Sequence, residues 1–318
     1  MPNSGRITNW VVICVALCQA GQEQKVPLIT YKAPVSSKST PAAVTETSAG
    51  GEENNVATDE QVISSWLEFT QSFRGPTQLV VRPWTELFGP LKTGLVDDLV
   101  VVAQIGQSLD GRIATASGHS KYINGATGLA HLHRLRSLVD AVVVGIGTAL
   151  ADDPQLTVRL VEGPNPARVV IDPKGRLPAT AKALTEDGVR RLIITADGTE
   201  YPPVSKTEIL ALPVTGGRIP PATIVAELAK RGLRRILIEG GAATVSNFLA
   251  AGCLDRLHMI VAPIILGDGH SSFILPSLER ADQAERLLVH AHQLDDEVLL
   301  DCDLSASRVP IGRAKKSR

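Results

Sequence analysis

Three segments of this chain end an apolar run in glycine, threonine and acidic residues, which are types that can hold a ligand. They are Gln104–Ala114, Val144–Pro154 and Ile236–Ala242. Small, flexible residues directly after a strand let the backbone approach a bound molecule closely. Three such strand ends in one chain predict a shared active-site edge of an α/β sheet.

The segment Glu239–Asn247 has the strongest chemical pattern of the three. A predicted strand ends in the carboxylate of Glu239, two glycines follow, and a helix begins. The free N–H groups and the positive end of such a helix form an anion site that suits a pyrophosphate. We therefore expect an anionic ligand at this turn.

Gly145–Thr148 follows a second predicted buried strand. Its glycine spacing begins like the dinucleotide fingerprint G-x-G-x-x-G, but Leu150 stands where the third glycine belongs. Two glycines and a threonine after a strand still suit close approach to a phosphate or a ring. The segment predicts a ligand contact without forming the standard fingerprint.

Ser108–Gly111 alone is the pattern of a polar turn. Its neighbours make it a candidate site, because Gly118–Ile123 follows and then a predicted helix that contains Arg134 and Arg136. Two positions apart, these arginines leave the helix on different faces. Either one points at the sheet edge while the other is solvated, or both are solvated.

The composition is that of an ordinary globular protein and gives no reason to expect a nucleic acid or a membrane as partner. The chain of 318 residues has 44% hydrophobic, 20% charged and 3% aromatic residues and a net charge of −1. Its four scattered cysteines and seven histidines show no zinc spacing, which predicts no metal site and a reducing compartment. We expect a cytoplasmic protein, although the apolar run Trp10–Leu17 also has the length of a signal peptide.

Changes in residue composition and in the pattern of apolar residues divide the chain into three parts. Residues 1–95 are an extension with a disordered linker at about 32–58 and a short helical segment at 58–74, residues 97–305 are the main domain, and residues 306–318 are a basic tail. Continuous Val, Ile and Leu runs between helices predict a three-layer α/β/α domain with a mixed, mostly parallel sheet. The predicted strands are Leu99–Ile105, Ala141–Gly145, Arg168–Asp172, Arg191–Thr195, Arg235–Glu239, Leu257–Pro263 and Val298–Asp303, and the predicted helices are Ala126–Leu138, Pro221–Arg231 and Ala243–Ala251.

With these segments in view, the chain resembles the reductase domain of riboflavin biosynthesis, which has a dihydrofolate reductase-like fold. Seven ordered segments carry the resemblance: Ser108–Arg112, Gly118–Tyr122, Leu135–Arg136, Gly145–Arg159, Arg168–Asp172, Ile238–Gly241 and Ala262–Gly267. In bacteria this domain is the C-terminal half of a bifunctional deaminase-reductase. The resemblance implies a homodimer that uses NADPH to reduce 5-amino-6-(5-phosphoribosylamino)uracil to its ribitylamino form.

The resemblance also implies roles for the residues at matching positions. Substrate contacts are expected from Ser120, Arg136, Leu156, Arg159 and Glu239. Contacts to the dinucleotide are expected from Tyr122, Thr148, Asp152, Gly241, Ala242, Ala243, Thr244, Val245, Ser246 and Asn247. Arg136 and Arg159 would hold the substrate phosphate, and Glu239 would orient donors of the pyrimidine or the ribityl hydroxyls. Asp110 and Glu239 are the predicted catalytic residues, with Asp110 as a proton relay or an orienting group.

Two departures from the family pattern keep other functions open. The sequence contains neither the H-x-E nor the P-C-x-x-C segment of a zinc deaminase. Pro173 stands where relatives often have a cofactor-binding serine, which leaves Lys174 or Arg176 to contact the cofactor's 2′-phosphate. The alternatives are a reductase of the same fold that acts on a pterin or another substrate, and a non-catalytic NADP-binding module.

Overall fold

A nine-stranded sheet forms the centre of the described part of the chain, which is residues 84–93 and 97–311 of a computed structural model. Side chains of Val100–Val102, Ala141–Val144 and Ile236–Ile238 are at most 1% exposed, because both faces of the sheet are covered. The strands are β1 Val100–Ser108, β2 Arg112–Thr115, β3 Ala141–Gly145, β4 Ala167–Ile171, β5 Arg191–Ala196, β6 Thr207–Leu212, β7 Arg235–Glu239, β8 Arg256–Ala262, β9 Gly269–Ser271, β10 Leu288–Leu294 and β11 Glu297–Asp303.

The strand order in the large sheet is β10-β11-β8-β1-β7-β3-β4-β5-β6. Neighbours from β8 to β6 are parallel, whereas β11 pairs antiparallel with both β8 and β10. β2 and β9 form a separate antiparallel pair. The predicted mixed, mostly parallel sheet, with antiparallel pairing among the last strands, is confirmed.

Helices cover the sheet on both sides and complete the predicted three layers. Alternate residues of β1 face opposite sides, so that Val101 packs in one core with Val245 and Phe248, and Val102 packs in the other core with Leu135. The helices are α1 Trp84–Phe88, α2 Pro90–Thr93, α3 Ala126–Leu138, α4 Ile146–Asp152, α5 Pro221–Lys230 and α6 Ala242–Ala250. Short 3₁₀ turns occupy Lys182–Leu184, Ala281–Gln283 and Ser305–Ser307.

The main differences from the sequence predictions are short elements. The three predicted helices correspond to α3, α5 and α6 to within one residue, whereas the helices α1, α2 and α4 and the strands β2, β6, β9 and β10 were not predicted. The predicted linker at about 32–58, the helical segment at 58–74 and the apolar run Trp10–Leu17 lie outside the described residues, as does the tail beyond residue 311. Within the described ranges, no helix is both long and apolar enough to span a lipid bilayer.

Candidate active site

A cleft of about 1010 Å³ opens at the carboxyl ends of the central strands. β7 lies between β1 and β3, with Glu239 level with Gln104 on one side and with Val144 on the other. The three strand ends singled out in the sequence therefore share one edge, which is where open α/β sheets bind ligands. The predicted site residues that line the cleft are Ser120, Thr148, Asp152, Gly241, Ala242, Ala243, Thr244 and Asn247.

The turn from β7 into α6 is fixed to the start of α4. The Gly241 N–H donates to Thr148 Oγ1 over 2.9 Å. Gly240 has a φ of +122°, and a Cβ built there would lie 2.8 Å from the same Thr148 oxygen. Only glycine fits this turn, because both its backbone conformation and its packing exclude a side chain.

The beginning of α6 presents backbone donors to the cleft. No side chain caps this helix at Gly241, so the first-turn N–H groups at Ala242 and Ala243 have no capping partner. Gly147 on α4 also lines the cleft, and a Cβ there would have no atom within 4 Å. The cleft wall therefore presents free backbone N–H groups at the start of α6, which can donate hydrogen bonds to an anionic group.

The opposite wall of the cleft is formed by β2, β9 and the chain that follows β9. It includes Ala114, His270, Phe273 and Leu275. The Ile274 N–H donates to the Ser246 hydroxyl oxygen over 2.8 Å, which ties this wall to α6. Ser246 therefore has a structural partner, and Val245 packs in the core at 0% exposure, so neither side chain faces the cleft.

Arg136 and Glu239 form a buried, bidentate ion pair beside the cleft. Arg136 Nε and Nη2 each lie 2.7 Å from one oxygen of the Glu239 carboxylate. Burial acts to lower the pKa of Arg136, but the charge and hydrogen bonds of Glu239 outweigh it and raise that pKa. Of the two helix arginines, Arg136 is the one that points to the sheet edge. All three of its guanidinium nitrogens donate a hydrogen bond within the protein, and its role in holding the substrate phosphate stays a prediction.

Glu239 also borders a second, smaller pocket of about 160 Å³. Gln104, Asn124 and Gly240 line this pocket together with Glu239. Gly241, the next residue along the chain after Gly240, lines the large cleft, so consecutive residues of this turn border the two compartments. Both compartments therefore border the turn that follows β7.

Arg159 lies next to this ion pair and is exposed. Its Nη1 donates to the Thr157 hydroxyl over 2.6 Å, and Arg136 Nη1 donates to the Thr157 carbonyl over 3.0 Å. Partial burial and the charge of Arg136 lower the pKa of Arg159. Because Glu239 compensates the charge of Arg136, the exposed Arg159 provides the positive charge here that suits a phosphate.

His133 positions the segment that carries Arg159, a role that sequence reasoning missed. Its Nδ1 accepts hydrogen bonds from the N–H groups of Arg159 (2.8 Å) and Leu160 (3.3 Å). Burial, with the charges of Arg136 and Arg159, lowers the pKa of His133 to about 4. The ring is therefore neutral near pH 7 and acts as an acceptor.

Seven predicted site residues line neither pocket: Asp110, Tyr122, Arg136, Leu156, Arg159, Val245 and Ser246. Leu156 is 1% exposed and packs in the core with a left-handed φ of +57°, so its side chain is not available to a ligand. Tyr122 is 90% exposed, and its ring lies near that of His119. Asp110 accepts hydrogen bonds from Ser108 and from the N–H groups of Leu266 (3.1 Å) and Gly267 (2.7 Å).

These bonds, first of all the one from Ser108, lower the pKa of Asp110 to about 2. The carboxyl group is therefore ionised throughout the neutral range. Of the two predicted roles, this geometry favours the orienting one, since an ionised carboxylate has no proton to donate. In the part of the chain that the structure describes, no three His, Cys, Asp or Glu side chains come together to hold a metal ion.

The chain matches the model of the RibD C-terminal domain over residues 99–300. It is 34% identical over 181 residues to the riboflavin biosynthesis protein RibD of Bacillus amyloliquefaciens, which covers 56% of this chain and 48% of that protein. It is 31% identical over 209 residues to the 2,5-diamino-6-ribosylamino-4(3H)-pyrimidinone 5′-phosphate reductase of Methanothermobacter thermautotrophicus, covering 63% and 96% respectively. The crystal structure of Acinetobacter baumannii RibD, form 1, superposes with a TM-score of 0.58 at 30% identity and covers 69% of this chain and 61% of that one.

Fold and site together define an α/β protein whose ligand cleft lies at the carboxyl edge of a mostly parallel sheet. The chain belongs to the RibD C-terminal domain family. The resemblance drawn from the seven sequence segments is confirmed. The chain spans about half the length of the RibD protein of Bacillus amyloliquefaciens that it matches.

Proposed function

We propose that this protein is an NADPH-dependent reductase of riboflavin biosynthesis that reduces 5-amino-6-(5-phosphoribosylamino)uracil to its ribitylamino form. The observation that carries the proposal is that two compartments border one strand end, where Glu239 lines the small pocket and Gly241 the large cleft. Hydride transfer requires donor and acceptor carbon in contact, and ligands in two compartments that border the same turn would lie near each other. Family relatives named as reductases support the proposal.

The residues of the large cleft fit a dinucleotide. Its volume of about 1010 Å³ lies at the upper end of the roughly 300–1,000 Å³ of typical ligand sites. The α6 N-terminus at Ala242 and Ala243 would bind the pyrophosphate, and Gly147 leaves room for close approach. Bound NADPH would supply a hydride to the open-chain imine carbon of the substrate, while the adjacent nitrogen gains a proton.

The small pocket suits a single heterocycle. Gln104, Asn124 and Glu239 provide its polar groups, and Arg136 fixes the orientation of the Glu239 carboxylate. Arg159 would bind the substrate phosphate in charge-assisted hydrogen bonds. The proton for the nitrogen comes from water, because Asp110 with a pKa of about 2 is already ionised.

The test is oxidation of NADPH by purified protein, followed by absorbance, with the ribosylaminouracil phosphate, its 2,5-diaminopyrimidinone counterpart and a dihydropterin as separate substrates. We expect turnover of the uracil compound, with KM raised at least about tenfold by Arg159→Ala through loss of a charged hydrogen bond. The control Arg176→Ala, which changes an exposed arginine outside both pockets, should leave KM unchanged. Turnover of the pterin alone would refute the proposal, and faster turnover of the diamino compound would reassign its substrate.

We also propose that the enzyme is a cytoplasmic homodimer, as the family resemblance implies. Leu288 and Val289 on the outer strand β10 are 61% and 42% exposed, which provides apolar surface that a second copy would cover. Buried, unpaired Cys253 and Cys302 are consistent with a reducing compartment. Light scattering during gel filtration measures the mass in solution.

A further inference from the structure

Arg218 lines the large cleft but has no role in the reaction proposed above. Among the described residues that line this cleft, it alone carries a full positive charge. We propose that Arg218 binds the 2′-phosphate of the NADPH adenosine and thereby sets a preference for NADPH over NADH. This inference rests on the proposed function, since it takes the cleft to be the dinucleotide site.

The backbone at Arg218 is held in a tight turn. The Thr215 N–H donates to the Arg218 carbonyl over 2.8 Å, and the Arg218 N–H donates to the Thr215 carbonyl over 3.2 Å. Gly216 and Gly217 between them have φ values of +59° and +78°, as a two-residue hairpin turn requires. Ile219, which follows, is buried in the core. The arginine therefore projects from a fixed point at the mouth of the cleft.

The side chain of Arg218 is oriented without being neutralised. Its Nη1 donates to Asn247 Oδ1 over 2.5 Å, and Asn247 lines the cleft from α6. Within the described ranges, none of the ion pairs includes Arg218. A neutral amide fixes the guanidinium but leaves its charge and its other N–H groups for an anion.

The position along α6 separates this site from the one proposed for the pyrophosphate. Asn247 lies five residues beyond Ala242, which corresponds to a rise of about 7.5 Å along the helix. The backbone donors at the helix start would serve the pyrophosphate, and Arg218 lies further along the same wall. Lys174 and Arg176, the cations near Pro173 that the sequence suggested, do not line the cleft.

The experiment is calorimetric titration of the full chain with NADPH and, separately, with NADH. Arg218→Gln removes the charge but keeps hydrogen-bonding groups, and Arg218→Lys keeps the charge. We expect Arg218→Gln to raise the Kd for NADPH at least about tenfold and to leave the Kd for NADH within about twofold, with Arg218→Lys in between. The controls Lys174→Gln and Arg176→Gln should leave both Kd values unchanged. Arg218 is exposed, so thermal unfolding should show that its variants fold like the parent.

Equal weakening of NADPH and NADH by Arg218→Gln would overturn the inference, because it would place Arg218 on a phosphate that both cofactors share. Unchanged Kd values would also overturn it, and in that case the proposed function stands if the parent protein still reduces the pyrimidine. If the parent binds neither dinucleotide, the proposed function and the inference fail together.

Discussion

The ion pair between Arg136 and Glu239 places two charges almost entirely out of water, with side-chain exposures of 7% and 8%. Transfer of each charge from water costs several kcal/mol, which only good geometry and further hydrogen bonds recover. Here both carboxylate oxygens are bonded, and a third bond runs to the Thr157 carbonyl. The pair therefore fixes the carboxylate at the strand end that borders both compartments, which benefits the orientation of Glu239 more than the stability of the fold.

A double-mutant cycle tests this account of the pair. Arg136→Met or Glu239→Gln alone should lower the free energy of unfolding by about 3–5 kcal/mol, because each leaves a buried charge without its partner. The double variant should lose much less than the sum of the two losses, as measured by urea unfolding. The same cycle on the exposed pair of Arg280 and Asp282, at 71% and 62% exposure, serves as control and should give far weaker coupling, because solvent screens both charges. Additive losses at Arg136 and Glu239 would contradict the account.

At the scale of elements, the site depends on how closely the starts of α4 and α6 approach each other. A Cβ at Gly145 would lie 2.3 Å from Thr244 Oγ1, and one at Gly240 would lie 2.8 Å from Thr148 Oγ1. Each helix start thus packs a threonine against a glycine of the other segment. Gly147 is different, because it faces the open cleft with nothing within 4 Å.

Two glycine substitutions should therefore separate folding from binding. Gly240→Ala forces a side chain into a left-handed conformation against Thr148, so it should lower the free energy of unfolding by about 1–3 kcal/mol. Gly147→Ala should keep that free energy or raise it by up to about 1 kcal/mol, while its methyl group in the cleft raises the Kd for NADPH about tenfold. Urea unfolding and NADPH titration measure the two effects. A Gly147→Ala protein that binds NADPH normally would show that the ligand does not approach α4.

The sequence predicts the buried elements well and the exposed or short ones poorly. The central strands β1, β3 and β7 are continuous apolar runs, and α3 was predicted with its observed ends, because burial requires such patterns. β6 and β10 lie at the two edges of the sheet and expose many side chains, so their apolar signal is weak. The helix α4 has only seven residues and contains Gly147 at its second position, so its sequence is more typical of a loop.

The same limit applies to the site. Strand ends followed by glycines identified the cleft, since that pattern is local in the sequence. The partners of Arg136, His133 and Arg218 could not be predicted, because Glu239, the Arg159 backbone and Asn247 lie 103, 26 and 29 positions away. Such pairings follow from the strand order, which the sequence pattern leaves open.

At the scale of the whole molecule, two buried histidines of α3 make the stability of the protein sensitive to acid. His131 contacts the sheet, and His133 contacts the segment that carries Arg159. His131 Nε2 lies 3.0 Å from His258 Nδ1 on β8, and His258 Nε2 lies 3.4 Å from Asp301 on β11. Burial, followed by the charge of His258, places the pKa of His131 well below its usual range. Asp301 has a pKa of about 2, held there against burial by His258 and Arg256, and so stays ionised in mild acid.

We therefore expect the protein to lose stability in mild acid. The pKa values of His131 and His133 are lower in the folded chain than the usual 6.5, so the unfolded chain binds more protons between about pH 6.5 and pH 4. The free energy of unfolding should be constant above this window and fall as the pH decreases through it, with His133 contributing about 2 kcal/mol by pH 4 after solvent screening. Urea unfolding at a series of pH values measures the slope.

His133→Asn is the informative variant, because the amide oxygen of asparagine can accept from the Arg159 N–H but does not titrate. It should show a shallower loss of unfolding free energy between pH 6.5 and pH 4 than the parent. His119→Asn, which changes an exposed histidine, should keep the slope of the parent. A parent protein whose stability is flat across this window, or a His133→Asn variant as steep as the parent, would contradict the assignment of this acid sensitivity to His133.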